Sequence, residues 1–225
     1  MTARVAPDDA AGRTAAVDAL RAGGIVALPT DTVYGIAVAL DTPGGIEALF
    51  AAKRRPPDKG IMLLLADAAQ APSIGHWPSS AAALAAAFWP GGLTVVVPQR
   101  LDVPLPSVLT GGAATIGLRV PDHPTPRALA AAVGPLPTTS ANVSGLPEAR
   151  DAVGIIAQLG DAISLILDGG PAGGGPASTV VDCTSDPPRI LRVGAIPAAE
   201  IERVLGRSLE PSADHPADPS PGVGR

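Results

Sequence analysis

The sequence predicts an α/β domain built on a mixed sheet. Short apolar runs of strand character alternate with segments of helical spacing, the pattern of a sheet covered by helices. Several of these strand runs are separated by turns alone, which a strictly alternating βαβ order would not give. Aromatic residues make up only 2% of the chain, so the core has to be built from Ala, Val, Leu and Ile.

Taken in order, Thr14 to Ala22 reads as a helix, with Val17 and Leu20 on one face and Gly23-Gly24 ending it. Ile25 to Pro29 is a short apolar strand that runs into the polar cluster Thr30-Asp31-Thr32 and then Tyr34-Gly35. A turn begins at Leu40, and Gly45 to Lys53 reads as a second helix with Ile46, Leu49 and Phe50 inward. Arg54 to Lys59 is a basic loop broken by prolines. Ile61 to Leu65 is a continuous apolar strand, the kind buried on both faces.

Ser80 to Phe88 is an alanine-rich helix stopped by Trp89-Pro90-Gly91-Gly92, and Leu93 to Val97 is a strand. Thr115 to Val120 alternates, with Thr115, Gly117 and Arg119 on one face and Ile116, Leu118 and Val120 on the other. A helix from Thr125 to Ala132 precedes the polar stretch Thr138 to Asn142. Val153 to Leu159 is helical in spacing, and Ser164 to Leu167 is a strand entering a glycine-rich loop. Ser178 to Asp182 and Arg189 to Val193 are the last strands, and Ala198 to Leu205 is the last helix. This organisation predicts one catalytic domain over residues 1–209. Residues 210–225 are rich in Pro, Asp, Ser and Gly and are expected to be a disordered tail.

The formal net charge is −5, so the chain as a whole does not carry the field of a polyanion binder. The low aromatic content also speaks against single-strand nucleic-acid modules that stack bases. The one cysteine, Cys183, follows a strand and is expected near the core, and an intramolecular disulfide or a cysteine-built zinc site is excluded. The three histidines show no metal-ligand spacing, so no protein metal site is expected. No segment reaches the length of a membrane span and no secretory apolar run opens the chain, so a cytoplasmic protein with no membrane partner is expected.

Five constellations carry chemistry, each beside a plainer alternative. Thr30 to Gly35 places hydroxyls at alternate positions after a strand, suited to a small polar substrate or to turn capping. Lys53-Arg54-Arg55 with Lys59 forms a stiff cationic loop suited to phosphate, or to a solvated turn. Ser140-Ala141-Asn142-Val143-Ser144-Gly145 offers hydrogen bonds to a nucleotide, or an Asx or Ser turn, and it is not a Walker A loop. Asp168-Gly169-Gly170 with Gly173-Gly174-Gly175 could form an amide nest or a surface connection. Arg119 and Arg192 sit within strand patterns, where an arginine has to be paired, face a ligand or snorkel at a rim.

These residues resemble the YrdC family, the threonylcarbamoyl-AMP synthases, from about residue 13 to 205. The likeness runs through Pro29-Thr-Asp-Thr-Val-Tyr-Gly35, the Lys53 and Arg55 pair, Trp89-Pro-Gly-Gly-Leu-Thr94 and Ile116-Gly-Leu-Arg-Val-Pro121. It continues through Thr139-Ser-Ala-Asn-Val-Ser-Gly145, Ser178-Thr-Val-Val-Asp182 and Ile190-Leu-Arg-Val-Gly194. The resemblance implies a YrdC-like twisted mixed sheet, flanked by helices, around a positively lined cavity. It implies synthesis of threonylcarbamoyl-AMP from L-threonine, bicarbonate and ATP with release of pyrophosphate. The product would pass to a tRNA threonylcarbamoyl transferase that modifies adenosine 37 of tRNA.

By the same resemblance, Thr32, Arg119, Thr138 and Ser178 would hold threonine. Arg55, Lys59, Thr115, Ser140, Asn142 and Arg192 would hold ATP, and Lys53 with Arg55 would carry the catalytic charge. Mg2+ would ride on ATP. Leu64 stands where many members carry a histidine, which keeps an adenylating enzyme for a different carbamate as an alternative. A second alternative is an RNA-binding or ribosome-associated protein of the same fold, with weak RNA binding left open.

Overall fold

A computed structural model describes residues 3–173 and 175–210. Its ten strands are β1 (Arg4–Pro7), β2 (Val26–Leu28), β3 (Gly35–Ala37), β4 (Met62–Leu64), β5 (Leu93–Pro98), β6 (Thr115–Arg119), β7 (Leu136–Ser140), β8 (Leu165–Asp168), β9 (Thr179–Asp182) and β10 (Arg189–Arg192). The helices are α1 (Ala10–Arg21), α2 (Gly45–Lys53), α3 (Ser79–Phe88), α4 (Ser107–Thr110), α5 (Pro124–Val133), α6 (Ala152–Leu159) and α7 (Ala198–Leu205). All ten strands join one sheet in the order β1-β8-β2-β3-β7-β4-β6-β5-β9-β10. Pairing is parallel for β1·β8, β2·β8, β4·β6 and β5·β9, and antiparallel elsewhere, so the sheet is mixed as the sequence predicts.

Local chemistry sets the helix ends. Asp9 accepts a hydrogen bond from the Gly12 amide at 2.8 Å, so α1 starts at Ala10, ahead of the expected Thr14. Asp151 does the same for α6 through the Gly154 amide. His123 caps α5 with Pro124 in its first turn, where a missing N–H costs nothing.

The two sheet faces are covered unequally, and this creates the site. One face carries Ile36, Leu63, Val95, Leu118 and Val181, which pack with Leu49 and Phe50 of α2, Leu84 of α3, Ile155 of α6 and Ile201 of α7. Each such side chain, fully buried, contributes about 2 kcal/mol. The other face carries Val26, Leu28, Ala37, Leu64, Leu136 and Leu165 under Ala16 and Leu20 of α1 and Leu129 and Ala130 of α5. That second cover belongs to β8, β2, β3, β7 and the end of β4. Further along the same face, Met62 of β4, Thr115 and Gly117 of β6, Val96 of β5 and Val180 of β9 line a cavity instead.

Several expectations are corrected. Leu136–Ser140 belongs to a strand, β7, inserted between β3 and β4. Its Pro137 and three hydroxyl residues give it the composition of a loop, but tertiary pairing overrides local preference. Gly35–Ala37 and Arg4–Pro7 are also strands. Glu210, placed at the start of the expected tail, forms a β-bridge with Arg189, and its amide donates to the Pro188 carbonyl. Residues 211–225 lie outside the described residues. No helix among the described residues is long and apolar enough to cross a membrane. Cys183 is buried, as expected from its place after β9. Burial pushes its thiol up to about 11 against a hydrogen bond with Ser80, so it is no thiolate nucleophile.

Candidate functional site

The cavity has a volume of about 360 Å³. Its floor follows β6, where the predicted alternation holds: Ile116 and Leu118 are buried in the core, while Thr115, Gly117 and Arg119 face the cavity. Two steps of two residues at about 3.3 Å per residue make this floor roughly 13 Å long. Sheet register places the neighbours along it. Met62 of β4 and Val96 of β5 lie beside Gly117, Thr94 lies toward the Arg119 end, and Met62 is also paired with Thr138 of β7.

One end is organised by Arg119, only 3% exposed. Its Nε donates to the Gly91 carbonyl at 2.9 Å, Nη1 to Thr32 Oγ1 at 3.0 Å and Nη2 to Asp31 Oδ1 at 2.6 Å. Burial lowers its pKa, and Asp31 opposes that shift. The Asp31 ion pair and the Thr32 hydroxyl therefore fix the guanidinium plane and compensate a charge that would otherwise be costly to bury. Five N–H groups are available on a guanidinium. Three are used here, which leaves donors for an anion in the cavity. Thr32 is itself held by Thr30, whose Oγ1 accepts from the Thr32 amide at 3.1 Å.

The opposite end gathers Thr115, Ser140 and Arg55. Arg55 donates through Nε to the Lys59 carbonyl at 2.8 Å and through Nη2 to the Gly60 carbonyl at 2.7 Å, and it lies over the Phe50 ring at 5.7 Å. These contacts shape the basic loop around its guanidinium. Arg192 approaches from β10 and donates to the Ser178 carbonyl from Nε at 3.1 Å and Nη2 at 2.8 Å, with Nη2 also 3.1 Å from Ser178 Oγ. Burial, then the charge of Arg192, lowers the pKa of Arg55. Burial also leads the lowering at Arg192, where Glu148 opposes it and Arg119 adds to it. Like charges converge on one cavity, which favours a polyanion there. Among the described residues lining it, three are arginines and none is a carboxylate.

Of the residues expected to form the site, Thr32, Arg55, Thr115, Arg119, Thr138, Ser140, Ser178 and Arg192 line this cavity. Three do not. Lys53 is 1% exposed and sits behind the wall, where its Nζ donates to the Ser140 carbonyl at 2.5 Å, the Asn142 carbonyl at 2.6 Å and Asn142 Oδ1 at 2.9 Å. Asn142 Oδ1 in turn accepts from Ser140 Oγ at 2.6 Å. Lys53 and Asn142 thus brace Ser140 rather than face the cavity. Lys59 is exposed, and its carbonyl holds Arg55. Among the described residues of the glycine-rich loop, none lines the cavity. Tyr34, fully buried, donates to the Gly170 carbonyl and accepts from the Gly169 amide, pinning that loop to the core.

Sequence reading missed Met62, Thr94 and Gly117 as site residues. Thr94 was the one polar position within the otherwise apolar Leu93 to Val97 run, and that signal could have found it. Gly194 has a different function. A Cβ there would lie 2.1 Å from the Ala177 carbonyl oxygen, so only glycine lets this loop close against Ser178.

Residues 18–194 match the family model Sua5_yciO_yrdC, described as telomere recombination. The chain is 39% identical over 189 residues to a threonylcarbamoyl-AMP synthase of Bacillus subtilis, covering 83% of this chain and 54% of that protein. It is 40% identical over 214 residues to a putative threonylcarbamoyl-AMP synthase of Mycobacterium leprae, covering 89% of this chain and 91% of that protein. Its fold matches the crystal structure of P. abyssi Sua5 complexed with L-threonine, with a TM-score of 0.84 and 34% identity, over 92% of this chain and 61% of that one. The chain thus spans about half the length of the Bacillus relative and nearly all of the mycobacterial one.

Proposed function

The chain belongs to the Sua5–YciO–YrdC family, and from that premise we propose that it makes threonylcarbamoyl-AMP from L-threonine, bicarbonate and ATP, releasing pyrophosphate. The observation that carries this reading is the sorting of charge along the cavity floor. Arg119 with the Thr32 hydroxyl stands at one end, Arg55 with Thr115 and Ser140 stands at the other, and Arg192 reaches in from the side to the carbonyl and hydroxyl of Ser178. An amino acid and a nucleotide bound end to end need this division.

In this reading the threonine carboxylate accepts from the remaining N–H groups of Arg119, beside Thr32 and Thr138. Ser178 adds its hydroxyl to the same half, beside Thr94. Arg55 and Arg192 hold the phosphates and stabilise charge as pyrophosphate leaves. Thr115 and Ser140 bind the nucleotide, and Lys53 acts through Ser140. The neutral amine of threonine attacks the carbon of bicarbonate, a C–O bond breaks and water leaves, giving the carbamate. A carbamate oxygen then attacks the α-phosphorus, whose bond to the bridging oxygen breaks as pyrophosphate leaves. Each step moves charge between substrates, so no protein nucleophile is required.

Mg2+ supplies charge neutralisation on the triphosphate. The lining contains no carboxylate and, among the described residues, no group of His, Cys, Asp or Glu could hold a metal, so the ion would be carried by phosphate oxygens and water. The product would be consumed by a tRNA threonylcarbamoyl transferase. Incubation with ATP, bicarbonate and single amino acids, with adenylated product and pyrophosphate both read, tests the proposal. Product that forms with threonine supports it. Pyrophosphate release that ignores threonine overturns it.

A further inference from the structure

Thr94 is 2% exposed on β5, one of the few polar side chains buried in this half of the sheet. Its Oγ1 lies 2.9 Å from Ser178 Oγ and 3.5 Å from Met62 Sδ. Ser178, 1% exposed, also receives Arg192 Nη2 on the same hydroxyl oxygen at 3.1 Å. The four groups Arg192, Ser178, Thr94 and Met62 form a single line across the cavity wall.

A hydroxyl has one proton and two acceptor sites. Arg192 has no acceptor, so it can only donate to Ser178. The proton of Ser178 then goes either to Thr94 or to a ligand. When it goes to Thr94, the Thr94 proton is left with the thioether of Met62, a weak acceptor. When an anionic oxygen enters the cavity, Ser178 can turn its proton to that oxygen, and Thr94 can donate to Ser178 in its place. Ser178 then accepts from two donors and gives one strong bond to the ligand, with no buried hydroxyl left unpaired.

We propose that Thr94 is a positioning residue that releases and aims the Ser178 hydroxyl toward the acyl or carboxylate oxygen of the amino-acid substrate. This rests on the proposed synthase reading and adds to it a residue that works through Ser178 without being its substitute. Arg192 on the other side of Ser178 ties the same hydroxyl to the phosphate-facing arginine.

The test is a double-mutant cycle on threonine-dependent pyrophosphate release. Thr94→Val removes the hydroxyl at nearly constant shape, Thr94→Ser keeps it, and Ser178→Ala removes the group it acts on. Thr94→Val is expected to lower kcat/KM for threonine roughly threefold to tenfold, the range of one net hydrogen bond. Thr94→Ser should stay within about twofold of wild type. Adding Thr94→Val to Ser178→Ala should change little, because two residues acting as one unit are not additive. Should Thr94→Val fail to fold, Thr94→Ala carries the same cycle. Wild-type rates in Thr94→Val, or losses that multiply fully in the double variant, overturn the role of Thr94 while the synthase reading stands. A wild-type protein that releases no pyrophosphate with threonine overturns both.

Discussion

Lys53 Nζ lies 2.9 Å from the side-chain oxygen of Asn142, and the same oxygen accepts from the Ser140 hydroxyl. A buried ammonium thus fixes the rotamer of a serine that faces the cavity, from a position behind it. The electrostatics are strained in a definite direction. Burial, followed by the charge of Arg55, lowers the Lys53 pKa to about 8, and Glu148 opposes this.

That shift has two consequences for pH. An unfolded lysine keeps its proton to about 10.5. Between about pH 8 and 10.5 the unfolded state therefore holds more protons, and stability rises with pH through this window. A Lys53→Met variant lacks the effect, so the wild type should gain stability relative to it between pH 7.5 and 10, read as denaturant midpoints. Activity should move the other way. A neutral amine has two N–H groups for three acceptors, so the Ser140 turn loses a donor and KM for ATP should rise above about pH 8. A flat KM across that range would remove the bracing role.

Arg55→Ala should impair ATP handling far more than Arg54→Ala. Arg55 lines the cavity, whereas Arg54 is exposed and caps α2 in the left-handed region at φ 52. Loss of a charge-assisted hydrogen bond costs about 2 kcal/mol, so a fall of about tenfold or more in pyrophosphate release is expected. Arg54→Gly, which relieves the positive φ, should be neutral or stabilising by up to about 1 kcal/mol. Parallel rate and melting measurements on the three variants check this, and equal rate losses at 54 and 55 would contradict it.

Gly117 is the shallow point of the floor. A Cβ added there would sit 3.3 Å from Thr94 Cγ2 and 3.5 Å from Met62 Cβ, close but tolerable. Gly117→Ala should fold normally. Gly117→Val adds two further methyls to the same floor and should lower kcat/KM by about a hundredfold or more through occupied volume. Calorimetric titration with ATP and with threonine would show which half is blocked. Unchanged binding of both would mean that substrates do not cross this point.

How much of this was readable in sequence depends on the range of the interactions. The inward set Thr115, Gly117 and Arg119 follows from a strand's twofold period, which is local. The loop-like Leu136–Ser140 became a central strand because β3 and β4 supply its partners, and those partners are distant in the chain. Lys53 read as a phosphate-facing cation because a helix-terminal lysine beside two arginines has the composition of a surface. Its burial depends on the Ser140 and Asn142 carbonyls, whose position only the assembled sheet defines. Thr94 sat in a recognised motif, but its pairing with Ser178 links β5 to the start of β9, 84 residues away.

Leu64 is the last case. It shares a sheet face with Met62, but it lies one step further, where register sets it beside Arg119 and Leu136. There it is 1% exposed and packs with Leu129 and Ala130 of α5. It is absent from the cavity lining, so it does not present an alkyl group to the substrate. The alternative of a different carbamate, kept open by Leu64, thereby loses that support. Leu64→His should then place an imidazole in an apolar layer without a partner and destabilise the protein by about 2–4 kcal/mol. The ranking of amino acids should not change. Threonine should be preferred over serine by about tenfold, the worth of one methyl, and over valine by about a hundredfold or more, because valine leaves the hydroxyls of Thr32 and Thr138 without their substrate partner. Amino-acid competition read as adenylated product, in wild type and Leu64→His at a temperature where both are folded, settles it. A variant that melts like wild type and changes its preferred amino acid would return Leu64 to the site. Equal use of valine and threonine by the wild type would instead show that the hydroxyl row at the Arg119 end does not read the substrate hydroxyl.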